Sequence, residues 1–131
     1  MSFKTEFKRV QKQMYRISAN HGFHNIDEQI DRLNEDYAVP YDLVQSIREA
    51  RVAQGLMLVV SELSEALEAT RHGNPPDSHI PAFSGVEAEL ADAIIRIQDL
   101  AETGKHRLAD AIVAKASYNS RRPAMHGDKK F

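Results

Sequence analysis

Acidic side chains recur at three-residue intervals in the segment "SELSEALEATRH", residues 61 to 72. Glu62, Glu65 and Glu68 are set among leucines and a valine, and side chains three or four residues apart share one face of a helix. Like charges one turn apart repel each other, so a helix that keeps them either exposes them to water or holds a cation. The spacing raises the hypothesis of a metal site, with a solvated helix face as the alternative.

A second acidic pair, Glu89 and Asp92 in "EAELADAI", has the same spacing. Two consecutive long helices joined by a turning loop usually lie antiparallel, so Glu62 and Glu65 could face this pair across a bundle. Four converging carboxylates need a compensating charge, and oxygen ligands in a chain without cysteine favour Mg²⁺, with Mn²⁺ as the alternative. The absence of an E-x-x-H pair argues against a di-iron bundle. From spacing alone, a solvated face is the commoner explanation.

Two basic residues and an amide lie at i, i+4 and i+7 in "KASYNSRRP", namely Lys115, Asn119 and Arg122. Lysine as a point charge and arginine as a planar fork are the side chains that phosphate oxygens prefer. The alternative is a basic helix end that complements the helix dipole. Four carboxylates together with a cationic helix face suggest a polyphosphate bridged by a metal ion.

Helical periodicity dominates the segments that must position these residues, and strand signals are almost absent. Helices are predicted over residues 4 to 20, 27 to 36, 41 to 72, from Ser84 to about Thr103, and from about His106 to Arg122. The long central helix carries an apolar stripe of Val44, Ile47, Met57, Val60, Leu63 and Leu67. The next helix carries Val86, Leu90, Ile94, Ile97 and Leu100. The predicted fold is all-α, a bundle of four main helices in one domain over residues 1 to 131.

Composition excludes several classes of function. With 17 Lys and Arg against 19 Asp and Glu, the net charge gives no reason to expect a nucleic-acid polymer as partner. The chain has no cysteine for disulfides or thiolate metal sites. Its longest apolar run, "LMLVV", is too short to span a membrane, and "MSFKTEFKRV" lacks the apolar core of a signal peptide. A cytoplasmic protein is expected.

The order of the three segments "SELSEALEA", "ELADAIIRIQDLA" and "KASYNSRRP" resembles the MazG-like family of all-α nucleoside triphosphate pyrophosphohydrolases. The family pattern is E-E-x-x-E, a variable gap, E-x-x-D, and then K-x-x-x-N-x-x-R. The resemblance covers residues from about 50 to 123. Ser61 stands where the pattern has its first glutamate. That position need not be a metal ligand, so the departure puts in doubt a contact that supports the ligands more than it does the activity itself.

The resemblance implies a magnesium-dependent enzyme that hydrolyses nucleoside triphosphates to nucleoside monophosphate and pyrophosphate. It also implies a bundle completed by self-association, as a homodimer or homotetramer, with the active site near the subunit contact. Either of two glutamates could activate the attacking water, so both are catalytic candidates. The implied metal ligands are Glu62, Glu65, Glu89 and Asp92, the catalytic candidates are Glu62 and Glu65, and the substrate contacts are Lys115, Asn119 and Arg122.

Two other functions fit the same residues. One is a non-catalytic helical interaction or regulatory module, and the other is a pyrimidine-specific dUTP or dCTP hydrolase of the same all-α group. For base recognition, Phe23 and His24 could stack on a base, but an aromatic residue after a helix end is more often a plug of the core. Lys129 and Lys130 are interpreted as a solvated basic tail, with closure over phosphates as the alternative.

Overall fold

Five α-helices account for most of residues 1 to 122, which are the residues that the computed structural model describes. In chain order they are α1 Phe3–Asn20, α2 Asn25–Tyr37, α3 Tyr41–Arg71, α4 Gly85–Thr103 and α5 Leu108–Ser120. This part of the chain contains no strand, so the all-α prediction is confirmed, although α2 is as long as α5 instead of being a minor element. It also contains no helix that is long and apolar enough to cross a membrane. Lys129 and Lys130 lie outside the described residues.

The helix boundaries follow local signals in the sequence. Ser84 begins α4 as predicted, because its hydroxyl accepts the backbone N–H of Glu87 and its own N–H is bound by the Glu87 carboxylate. α5 is shorter than predicted, beginning at Leu108 instead of near His106 and ending at Ser120 instead of Arg122. The turn before it includes Lys105 in the left-handed region at φ 53°, a conformation that no helix residue adopts.

α3 and α4 form the central pair of helices, while α1 packs on α4, α2 on α3 and α5 on α1. Small residues bring the central pair close together. A Cβ atom on Gly55 of α3 would lie 2.5 Å from Cδ2 of Leu100 on α4, and one on Gly85 of α4 would lie 3.0 Å from Cβ of Ala69 on α3. Side chains that project from either helix toward the other therefore reach across the contact.

Much of the apolar stripe on α3 lies outside the core of the single chain. Such a stripe ordinarily faces the core of its own chain, and Val44 does so. Met57, however, is 62% exposed. The exposed apolar face of the central pair consists of Met57, Val60, Leu63 and Leu67 on α3 with Leu90, Ile94 and Ile97 on α4. The buried positions of the two helices are mostly alanines and polar residues instead, namely Glu62, Ala66, Ala88, Ala93, Gln98 and Ala101.

Candidate active site

Three carboxylates from the two central helices meet across their contact. One oxygen from each of Glu62 on α3 and Glu89 and Asp92 on α4 lies within 4.8 Å of the others. Glu62 is only 6% exposed, Glu89 is half-buried and Asp92 is exposed. The set, called here the carboxylate cluster, therefore runs from the helix contact toward solvent, and it includes three of the four carboxylates singled out in the sequence.

Glu65, the fourth carboxylate, stands beside the cluster. It is exposed and contributes no oxygen to the group of three. Its charge nevertheless acts on Glu89, whose pKa is raised first by burial and then by the negative charges of Glu65, Glu62 and Asp92. A raised carboxyl pKa means that ionisation is opposed by the surroundings, and a bound cation would relieve that opposition.

Glu68 and Ser61 take no part in the cluster. The Glu68 carboxylate accepts a hydrogen bond at 3.1 Å from Arg71 near the exposed end of α3. The Ser61 hydroxyl, in the place of the family pattern's first glutamate, donates to the backbone carbonyl of Leu58 at 2.7 Å. Both side chains are therefore satisfied within α3.

The donor set of the cluster fits a hard divalent cation. All three donors are carboxylate oxygens, which suit Mg²⁺ and Mn²⁺ far better than the softer metals that select sulfur or imidazole. The partly exposed end at Asp92 would leave room for water or a ligand oxygen, as Mg²⁺ sites in proteins usually require. The residues present are therefore compatible with the ion that the sequence predicts.

Arg96 is the neighbour of the cluster that sequence reasoning missed. Its Nε donates a hydrogen bond to Oε1 of Glu62, joining α4 to α3. Arg96 follows Asp92 by one helical turn, and that spacing is the signal that could have found it. A buried carboxylate needs a paired charge, and the guanidinium supplies one to Glu62.

A cleft of about 1200 Å³ opens between α1, α2, α3 and α4. Asp92 and Arg96 are part of its wall, so the cleft meets the cluster at Asp92, with Arg96 beside it. Apolar side chains from α1 and α3, including Met14, Ile17 and Leu58, line much of the remainder. A cleft that combines apolar side chains with charged groups is typical of small-molecule sites.

Phe23 and His24 stand in the turn between α1 and α2 and line the same cleft. The interpretation of Phe23 as a core plug is wrong, because its side chain is 67% exposed. His24 is held more firmly, with Nδ1 at 3.2 Å from Asp27, Nε2 at 2.9 Å from Asp99 and its ring centroid at 4.7 Å from that of Tyr15.

The carboxylate of Asp27 is shared between two elements of this wall. Arg51 of α3 donates a hydrogen bond to it at 3.0 Å, opposite the contact with His24. Burial alone would raise the pKa of Asp27, but the hydrogen bonds from Arg51 and His24 outweigh burial and hold that pKa below its ordinary value. The charged network therefore ties the α1–α2 turn to α3.

The two basic residues and the amide that were predicted to bind phosphate lie on α5 and just after it. Lys115 belongs to α5, where its Nζ stands 5.1 Å from the centre of the Tyr118 ring. Asn119 and Arg122 are exposed nearby. None of the three is among the residues that line the cleft within residues 1 to 122. Their contact with phosphate stays a prediction.

The chemistry open to this site follows from the residues that the fold brings together. Comparison of the chain with protein-family models, with curated proteins and with solved structures gives no match. The carboxylate cluster can hold a divalent cation, the arginine beside it can bind an anion, and the adjoining cleft has the volume for an organic ligand. The arrangement suits an organic ligand that carries an anionic group.

Proposed function

We propose that the chain is a Mg²⁺-dependent nucleoside triphosphate pyrophosphohydrolase that releases nucleoside monophosphate and pyrophosphate. The observation that carries the proposal is the convergence of Glu62, Glu89 and Asp92 within 4.8 Å beside a large cleft whose wall includes Asp92. The order of acidic and basic motifs, which resembles that of MazG-like enzymes, supports the choice of substrate. Membership of that family is part of the proposal.

The acidic residues have two roles, metal binding and proton transfer. The three carboxylates of the cluster would hold Mg²⁺, which when bound offsets phosphate charge and lowers the pKa of a coordinated water. We assign the general base to Glu65, because it is exposed beside the cluster while Glu62 is engaged by Arg96. A water that gives its proton to Glu65 attacks the α-phosphorus. The anhydride bond to the β-phosphate breaks, and pyrophosphate leaves.

The exposed apolar face supports self-association as a second part of the proposal. The face consists of exposed apolar side chains on α3 and α4, and large exposed apolar patches often mark contacts with other proteins. A second copy of the chain is the occupant that we propose, giving a homodimer or homotetramer. The face lies on the same two helices that carry the cluster, so the active site would stand near the contact between copies.

The decisive experiment is a nucleotide panel with detection of released pyrophosphate. The purified protein is incubated with the four ribonucleoside triphosphates and with the deoxynucleoside triphosphates, including dCTP and dUTP. Each nucleotide is tested with Mg²⁺, with Mn²⁺ and with excess chelator. We expect pyrophosphate and the matching monophosphate in the metal-containing reactions, and none with chelator. Release from dUTP or dCTP alone would favour the pyrimidine-specific hydrolase.

Two results would contradict the proposal. Release that survives chelation would exclude the metal-dependent reaction. No release from any nucleotide, in a sample whose folded state is shown by a cooperative thermal transition, would favour the non-catalytic helical module.

A further inference from the structure

We propose that Arg96 binds the phosphate chain of the ligand in the cleft, an inference that rests on the proposed function and adds a residue to its site. Arg96 is placed between two features: its Nε contacts Glu62 in the cluster, and its side chain forms part of the cleft wall. A ligand that lies in the cleft and reaches toward the cluster meets this guanidinium.

The guanidinium has donors left for a ligand. An arginine carries five N–H groups in a rigid planar fork, and Arg96 uses only Nε in its hydrogen bond to Glu62. Within residues 1 to 122 its two terminal nitrogens form no hydrogen bond to a protein atom, and the side chain is 41% exposed. Two parallel donors on a fixed plane match two oxygens of a phosphate group.

The other arginines of the cleft each use a terminal nitrogen for a protein partner. Arg48 donates through a terminal nitrogen to Asp31 at 2.8 Å. Arg51 uses Nε for Asp27 and a terminal nitrogen for Gln54. Among the arginines that line the cleft in the described part of the chain, Arg96 is therefore the one with no protein hydrogen bond from either terminal nitrogen.

The positive charge of Arg96 offsets the repulsion between the acidic residues and a polyphosphate. The three carboxylates of the cluster and Glu65 beside it carry four negative charges when all are ionised, and one divalent cation leaves the set negative. A polyphosphate approaching from the cleft would be repelled by that remainder. A guanidinium at the boundary supplies attraction where the chain of phosphates must lie, and its contact with Glu62 fixes its orientation before the ligand arrives.

Binding of inorganic tripolyphosphate in the presence of Mg²⁺, measured by calorimetry, tests Arg96 without requiring catalysis. The variants are Arg96→Gln, Arg96→Lys and, as a matched control, Arg71→Gln, which removes an exposed arginine paired with Glu68 on α3. We expect Arg96→Gln to raise the Kd about tenfold to a hundredfold, the scale of a lost charge-assisted hydrogen bond. Arg96→Lys should raise it about threefold to tenfold, since charge remains but the fork is lost. Arg71→Gln should bind as the unmodified chain does.

A Kd for Arg96→Gln equal to that of the unmodified chain would overturn the inference, and so would an unmodified chain that does not bind tripolyphosphate. If Arg96→Gln fails to fold, Arg96→Lys decides, and an unchanged Kd for that variant overturns the role of the fork. The proposed function fails separately. Loss of tripolyphosphate binding in Arg96→Gln, without hydrolysis of any nucleotide by the unmodified chain, would leave the inference standing alone.

Discussion

Nε2 of His24 lies 2.9 Å from Oδ1 of Asp99, which joins the turn after α1 to the C-terminal part of α4. Nδ1 of the same ring lies 3.2 Å from Asp27. Ionised carboxylates only accept hydrogen bonds, so both contacts form together when each ring nitrogen carries a proton. Ser18 of α1 donates to the other oxygen of Asp99 at 3.1 Å. Asp99 therefore attaches two segments of the cleft wall, α1 and the turn that follows it, to α4.

Asp99→Asn should destabilise the protein by about 1 to 3 kcal/mol, because a partly buried charged acceptor with two donors is lost. The measurement is chemical denaturation followed by circular dichroism. Asp31→Asn is the control, because Asp31 is more exposed than Asp99 and its ion pair is with Arg48. Exposed ion pairs of this kind contribute about 1 kcal/mol at most. Equal losses in the two variants would mean that Asp99 does not anchor the wall.

Glu89→Gln should raise the melting temperature of the chelated protein at neutral pH by about 2 °C, the scale of relieving like-charge repulsion near 0.5 kcal/mol. The pKa of Glu89 is raised from 4.5 in the folded state, so its ionisation destabilises the fold as pH rises through and above that value. Below it the carboxyl is protonated in both states, and the gain should vanish. Glu68→Gln, which removes the partner of Arg71, should give no gain at either pH.

Asp92→Asn and Glu65→Gln should each lower turnover by a factor of about a hundred or more, the scale of losing one preorganised electrostatic contact. Asp92 belongs to the cluster, and Glu65 is the assigned base. Glu68→Gln changes the same kind of charge one turn from Glu65 and should be mild. The measurement is pyrophosphate release at saturating Mg²⁺. Equal and small effects in all three variants would show these carboxylates to be ordinary surface residues.

Asp110→Asn should move acid unfolding to higher pH. Lys4 at 2.9 Å and Lys8 at 3.2 Å lower the pKa of Asp110 to about 2 from 3.8. A depressed carboxyl pKa adds stability that is present above the unfolded value and is lost as pH falls from 3.8 toward 2. The variant lacks that contribution throughout. Glu49→Gln, at an exposed carboxylate of α3, is the control, and an equal shift there would remove the special role of the α1–α5 contact.

Leu67→Arg should weaken self-association by at least about tenfold in dissociation constant, since a charge on the exposed apolar face must be desolvated in any contact between copies. Sedimentation across a range of protein concentrations gives the measurement. Leu43→Arg provides the control, because Leu43 is similarly exposed but lies in the first turn of α3. A chain that is monomeric at all concentrations would contradict the proposed self-association.

Short-range signals allowed the helix that carries Glu89 and Asp92 to be located from sequence. Ser84 was expected to cap α4, and the hydrogen bonds between Ser84 and Glu87 confirm it. Such a signal is readable because its two residues are three apart and depend on no other element. The spacing of carboxylates was informative for the same reason, although it could not tell that Glu65 would stand outside the group of three.

Contacts between distant segments could not be predicted. Arg96 and Glu62 are 34 residues apart, His24 and Asp99 are 75 apart, and no local periodicity pairs them. The apolar stripe of α3 shows the same limit. Periodicity says which side chains share a face, but it does not say whether the chain's own helices cover that face.

Gly55 lies within α3, the longest helix. A glycine inside a helix weakens it by about 1 kcal/mol relative to alanine. A methyl group there would require Leu100 to give way, since the two would be 2.5 Å apart. Glu62 stands two turns further along the same face of α3. Alanine at Gly55 would raise the helix propensity of α3 but would displace the Leu100 side chain from its place against this face. Close packing of α3 on α4 at this position therefore rests on a residue that weakens α3 itself.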